Sequence, residues 1–420
     1  MALFCGCSSS LNENNLPPYD ADGLLAASQL ETFYQAEQPS SIRIYVESSG
    51  SMNGLFRRNE PTAFKRSMSA ILEHTPIKNI LSAVEVFDNN GLKTTSYPAA
   101  LFREKMNQGA LVSQASTVVP NMIDRILGDM DSTYCDVAIM VSDMKYSPIG
   151  QGYATKMDQY EIDVKSRFSD RTQLAVCMIG CESDFLSANG KLLCDEFPYY
   201  LIIMGDSHKV AWVRNEILDA CSDAGRVMGM LEFNMDYGSP RYTALPGSAM
   251  GMAQNNSELL SKYATEHCSS FTAFDSSMQP AEVVLAVDYG YLPADILNTL
   301  DASRFEVTSY LNDIKTSVSI LPNYRPSING ELVDKLHPNI YLRLSMNGLN
   351  TFESDVVLIR LVDGSAPDTG WVSKYYEAKA ESDLPKTLSL DAFVKGLCAA
   401  YPDTDHLQKT PMSLFVTKKI

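Results

Sequence analysis

Three short runs of almost uninterrupted apolar residues, Val137–Val141, Leu174–Gly180 and Tyr199–Gly205, constrain the fold of this chain most. Each has the length of a strand, and none approaches the roughly 18 residues that a membrane-spanning helix needs. A strand that is apolar on both sides must be covered on both faces, as in the centre of a parallel sheet flanked by helices.

The neighbouring segments supply such helices and further strands. Ser41–Glu47 reads as a β-branched strand with Ile42, Ile44 and Val46 on one face. Glu60-Pro61 opens a helix whose apolar residues Phe64, Met68, Ile71 and Leu72 share one face. Ser82–Phe87 is a second strand, and Asn89-Asn90-Gly91 predicts a hairpin that returns Leu92–Tyr97 antiparallel. Pro120 starts a helix with Met122, Ile123, Ile126 and Leu127 facing inward, and a helix at about 209–222 buries Val210, Val213, Ile217 and Cys221. The alternation predicts an α/β fold. Its sheet is doubly wound and mostly parallel, with Gln173–Gly180 and Tyr199–Met204 among the parallel strands and one antiparallel edge.

The texture changes near residue 235. Ala281–Val287, Arg304–Ile320, Asn339–Met346 and Asp355–Leu361 are strands at hairpin-like spacing, interrupted by Pro322, Pro326, Asn347-Gly348 and Asp363-Gly364. A β-rich, sandwich-like module is expected there. Ser389 precedes a C-terminal helix with Leu390, Phe393, Val394 and Leu397 on one face. The chain of 420 residues therefore divides into a tether over 1–40, an α/β domain over 41–235 and a β-rich module over 236–420.

Charge narrows the partners. Thirty-four Lys and Arg stand against 51 Asp and Glu, a net charge of −17 with no local basic patch, which argues against binding a phosphate backbone. Carboxylates in such number suit hard cations. The nine cysteines are irregularly spaced, several within apolar runs, and read as core thiols rather than a disulfide framework or a zinc site. No phosphate-binding loop, HExxH, GxSxG or strand-linked GxGxxG occurs, and the five histidines are scattered, so the expectation is a non-enzyme.

The first residues, Leu3 to Ser10, resemble the end of a bacterial lipoprotein signal, with Gly6 before a lipidated Cys7 and a polar tether after it. Only Ala2 to Phe4 precede this box, and the first basic residue is Arg43. The resemblance implies a lipid-anchored protein of the bacterial cell envelope, the alternative being a cytoplasmic chain with free N-terminal thiols.

The first strand runs into Glu47-Ser48-Ser49-Gly50-Ser51-Met52. Ligands of open α/β sheets bind beyond the carboxyl ends of the strands, and a carboxylate with two hydroxyls there offers oxygen ligands to a hard divalent cation. Thr117 lies just before the Pro120 helix, and Asp143 ends the Val137 strand. In this order the residues resemble the metal-ion-dependent adhesion site of the von Willebrand factor A domains. Ser49 and Ser51 match the two serines of that motif, Thr117 its threonine and Asp143 its distal aspartate. Glu47 stands where the family has Asp, and its extra methylene moves the carboxylate by about 1.5 Å. The resemblance covers about 41–225. It implies protein binding through Mg²⁺, with Mn²⁺ or Ca²⁺ as looser alternatives, the partner's acidic side chain completing the coordination. Loops Asn53–Asn59, Gln114–Ser116 and Met144–Tyr153 would set specificity, with Tyr146 and Tyr153 as contact aromatics.

Two other readings compete. One is a structural scaffold that holds no metal. The other is an esterase: Gly205-Asp206-Ser207-His208 and Asp403-Thr404-Asp405-His406 resemble the blocks of SGNH-type hydrolases, with Ser207 as nucleophile.

Overall fold

A computed structural model describes residues 37–58, 60–88, 91–111, 118–132, 134–146, 153–171, 173–236, 240–245, 271–274, 281–289, 292, 297, 300–309, 314–325, 337–347, 354–362, 370–375, 384–401 and 412–418. The chain forms two compact units. One comprises 36–235 and 365–404; the other comprises 1–35, 236–364 and 405–420.

The first unit is built on a seven-stranded sheet. Its strands are β1 (Ile42–Val46), β2 (Leu81–Phe87), β3 (Thr94–Tyr97), β4 (Val137–Ser142), β5 (Ala175–Leu186), β6 (Leu192–Gly205) and β7 (Val227–Phe233), in the order β3-β2-β1-β4-β6-β5-β7. β2, β1 and β4 are parallel, and β3 is the antiparallel edge predicted from the Asn-Gly turn. The fold is thus mixed α/β with a parallel core.

The second half of the sheet departs from expectation. Leu174–Gly180 and Tyr199–Gly205 are not successive parallel strands. They belong to one long hairpin, so β6 lies antiparallel to β4 and to β5, and β7 is antiparallel to β5. The physical reason lies between the two runs. Ser187–Lys191 is a tight turn closed by the Lys191 amide on the Ser187 hydroxyl, with Gly190 at φ 79°, and the interval leaves no room for a crossover helix.

Helices cover both faces. On one face lie α1 (Ala63–Glu73), which leads into α2 (Thr75–Ile80), and α6 (Ser207–Cys221). α1 and α6 bury the apolar positions their sequences predict, including Phe64, Met68, Val210, Val213 and Ile217. α3 (Ala99–Asn107) packs beside β2 and α1. The other face carries α4 (Val119–Asp131) and α5 (Tyr153–Ser169), whose core includes Met122, Ile123, Ile126, Tyr160, Val164, Met140, Met178 and Ile202.

Residues 370–375 and 384–401 return to this second face. A short helix α7 (Gly370–Ser373) sets Trp371 in a notch made by Gly180 and Gly229, which face each other across β5 and β7. A Cβ on Gly180 would fall 2.1 Å from the indole, and one on Gly229 2.8 Å, so both positions require glycine. The indole Nε1 donates to the Met230 carbonyl at 3.0 Å. α8 (Leu390–Ala400) then buries Leu390, Phe393, Val394 and Leu397, packing along α5 so closely that a Cβ at Gly396 would lie 2.7 Å from Val164.

The second unit holds two four-stranded sheets. β8 (Arg241–Ala244), β10 (Ala281–Asp288), β12 (Lys315–Ile320) and β13 (Ile340–Asn347) form an antiparallel sheet in the order β12-β13-β10-β8. β9 (Phe271–Phe274), β11 (Phe305–Ser309), β14 (Ser354–Leu361) and β15 (Met412–Lys418) form the other in the order β11-β14-β15-β9, with β15 and β9 parallel. The run read as one strand over Arg304–Ile320 is two, β11 and β12. Among the described residues no helix is long and apolar enough to cross a membrane.

Candidate functional site

The site forms where β1 and β4 end side by side. Their pairing continues one residue past β1, with the Glu47 amide donating to the Val141 carbonyl at 2.9 Å. This places Glu47 beside Ser142, whose hydroxyl donates to Glu47 Oε2. Strand alternation puts Glu47 on the same face as Tyr45, toward α5, where burial first, then Tyr146 and Glu47, push the Tyr160 phenol well above its ordinary range. Glu47 is 1% exposed.

Beyond Glu47 the chain turns. The Ser48 hydroxyl donates to the Phe87 carbonyl at the end of β2, at 3.0 Å, which ties the loop to a third strand. Ser49 precedes a single 3-10 turn over Gly50–Met52, but its hydroxyl does not cap that turn. It lies instead 2.8 Å from the Ser51 hydroxyl. The two serines of the motif therefore present their oxygens together, on either side of an exposed Gly50 in sequence.

Asp143 follows β4 and is fully buried. Its Oδ1 accepts the Lys145 amide at 3.1 Å. Its Oδ2 is buried with no hydrogen-bond partner among the described residues. Burial pushes the Asp143 carboxyl above the ordinary carboxylate range, opposed first by the Lys145 ammonium and then by the Ser51 hydroxyl. Met144 takes the left-handed conformation at φ 56°, and its amide donates to the Ser142 hydroxyl at 2.8 Å. Lys145 is itself buried, its ammonium 4.7 Å from the centre of the Phe197 ring.

The structure thus brings Glu47, Ser49, Ser51 and Asp143 to one rim. Thr117, Cys7 and the loop Gln114–Ser116 lie outside the described residues. Tyr146, read as a contact aromatic, is buried and stacks on Tyr160 at 4.1 Å; the side chain of Tyr153 lies outside the described residues. Lys145 and the Ser142 bridge to Glu47 escaped the sequence reading. Ser142 has a visible signal, a hydroxyl amino acid ending an apolar strand; Lys145 has none.

Ser207 stands apart. β6 runs opposite to β4, and Gly205 pairs with Val137, so Ser207 lies at the rim where β4 begins. There Asp206 caps α6, its Oδ1 accepting the His208 amide at 3.0 Å. Asp403 and His406 lie outside the described residues.

Among the described residues, no group of three or more His, Cys, Asp or Glu side chains is arranged to hold a metal ion. The rim presents a different donor set, two carboxylates with serine hydroxyls. Comparisons of the chain with protein-family models, curated proteins and solved structures find no match.

Proposed function

We propose that this chain is a protein-binding module whose rim site takes a divalent cation, Mg²⁺ first, and recognises an acidic group on a partner protein. Asp143 Oδ2 carries this reading. A fully buried carboxylate oxygen without a donor is costly, and here it stands beside hydroxyls that a hard cation accepts as ligands. Ser49, Ser51 and Asp143 would hold the ion directly, with Glu47, tied to Ser142, supporting from behind. A bound ion would supply a Lewis-acidic position for a partner carboxylate. The half-sheet β3-β2-β1-β4 has the strand order of a doubly wound fold, which supports a distant likeness to von Willebrand factor A domains for this half. Lipid anchoring through Cys7 in a bacterial envelope belongs to the same reading.

Titration calorimetry and thermal unfolding with Mg²⁺, Mn²⁺ and Ca²⁺ test it. At a hundredfold excess over Kd the ion should add about 2.7 kcal/mol of stability, and Asp143→Asn should remove that gain. A chain that shows neither heat nor a thermal shift with any of the three ions refutes the cation site.

A second reading, the metal-free scaffold, draws on Lys145. Its buried ammonium already offsets part of the Asp143 charge. Under that reading Lys145→Met would destabilise the chain and no ion would restore it. Under the cation reading the same substitution tightens Mg²⁺.

A further inference from the structure

The loop that carries Asp143 is held from a distant part of the chain. Both main-chain groups of Tyr146 are bound by the return segment: its amide donates to the Leu388 carbonyl at 3.3 Å, and its carbonyl accepts the Ser389 hydroxyl at 3.2 Å. Ser389 is 1% exposed and takes the left-handed conformation at φ 73°, which is unfavourable for a residue with a side chain. Ser389 precedes α8 but makes no side-chain cap there; its hydroxyl is directed at the loop instead. The preceding residue, Thr387, is fully buried. Its hydroxyl lies 3.0 Å from the Tyr200 phenol on β6, and its amide donates to the Tyr375 carbonyl at 3.1 Å. Tyr200 pairs across the sheet with Ser142, the residue before Asp143. Further along, Phe393 lies 6.3 Å from Tyr160, which stacks on Tyr146.

The loop itself carries matching strain. Met144 is also left-handed, and Asp143 closes on its own Lys145 amide. Two non-glycine residues in this conformation, one on each side of a pair of hydrogen bonds, persist only where surrounding contacts over-determine them.

We infer that Ser389, with the Leu388 carbonyl, is a positioning group that fixes the Asp143–Tyr146 loop, so that residues 384–401 act as a strap tuning the rim site. The tuning rests on the cation reading above; the positioning does not.

Ser389→Gly in the full chain is the decisive variant. Glycine accepts φ 73° without strain, and that relief offsets the loss of the hydroxymethyl group, so melting should not fall. Amide hydrogen exchange read by mass spectrometry should show the peptide containing Lys145 and Tyr146 exchanging about fivefold faster, the loss of one hydrogen bond. Mg²⁺ affinity by calorimetry should weaken by a similar factor, and Ser389→Asn, which tolerates the left-handed conformation and keeps a side-chain donor, should recover part of both. Unchanged exchange in Ser389→Gly overturns the positioning role whatever the ion does. Faster exchange with unchanged Mg²⁺ affinity overturns the tuning and leaves the cation reading intact. Faster exchange with no Mg²⁺ heat in either protein supports the positioning and overturns the cation reading, and the tuning with it.

Discussion

The two halves of the seven-stranded sheet solve the same burial problem in different ways. In β3-β2-β1-β4 the three inner strands are parallel, so the carboxyl ends of β2, β1 and β4 share one rim. Loops leaving those ends carry Glu47, Ser49, Ser51 and Asp143. In β6-β5-β7 the strands alternate in direction. The end of β6 that meets the rim is its earlier part, which brings Phe197 under Lys145 and Tyr200 beside Ser142. One half thus presents polar loops, and the other walls them with aromatics. Parallel strands concentrate loop chemistry at one edge, whereas an antiparallel hairpin divides its ends between both edges.

The comparison implies that the antiparallel half carries stability and the parallel rim carries chemistry. The largest effect should come from Arg214→Ala. Arg214 on α6 is buried and paired with Glu232 on β7, and removing one partner of a buried pair costs about 3–5 kcal/mol. Chemical denaturation of the two proteins measures it. Trp371→Ala should follow at about 3 kcal/mol, because the Gly180–Gly229 notch would be left empty. A loss below about 1 kcal/mol in both variants would break the comparison.

Asp143→Asn should behave differently. It keeps the shape of the side chain but takes the opposing charge from the buried Lys145 ammonium, so unfolding without added ion should cost about 1–2 kcal/mol, less than Arg214→Ala, while any response to Mg²⁺ disappears. If this change destabilises as much as Arg214→Ala, the rim is structural and the scaffold reading gains.

The smallest effect is kinetic. Burial pushes the Cys135 and Cys221 thiols up to about 11, and thiols react as thiolates. At pH 8 alkylation of the six cysteines among the described residues should reach the partly exposed Cys194 and Cys398 first, sparing Cys135, Cys177, Cys181 and Cys221 until the protein opens. In mild denaturant, Cys181 and Cys221 report on the antiparallel half and Cys135 on the start of β4. Mass spectrometry of the labelled sites shows whether the halves open together.

The hairpin within the sheet was partly legible. Asn189-Gly190 is as strong a turn signal as Asn89-Asn90-Gly91, which correctly predicts β3, and the interval from Gly180 to Tyr199 shows no helical period. Wholly apolar composition outweighed it, because a strand covered on both faces looks alike whichever way it runs. Likewise, the apolar face of α8 is plain in Leu390, Phe393, Val394 and Leu397, but its docking against α5 is not. Amphipathicity says that a face is buried and leaves open what buries it.

What the sequence alone determined is local. Apolar period marked β1, β2, β4, the apolar cores of β5 and β6, and the helices α1, α4, α6 and α8, but not α2, α3, α5, α7 or β7; proline and Asn-Gly marked several boundaries, and the Ser-Gly-Ser step after β1 marked the rim. Only the tertiary structure decided strand direction beyond β4, the return of residues 370–375 and 384–401 to the first unit, and the hold of Leu388 and Ser389 on Tyr146. These depend on contacts between residues distant in sequence, from tens of positions within the sheet to 243 between Tyr146 and Ser389. No local pattern encodes such pairings, because their free energy arises only when the segments meet.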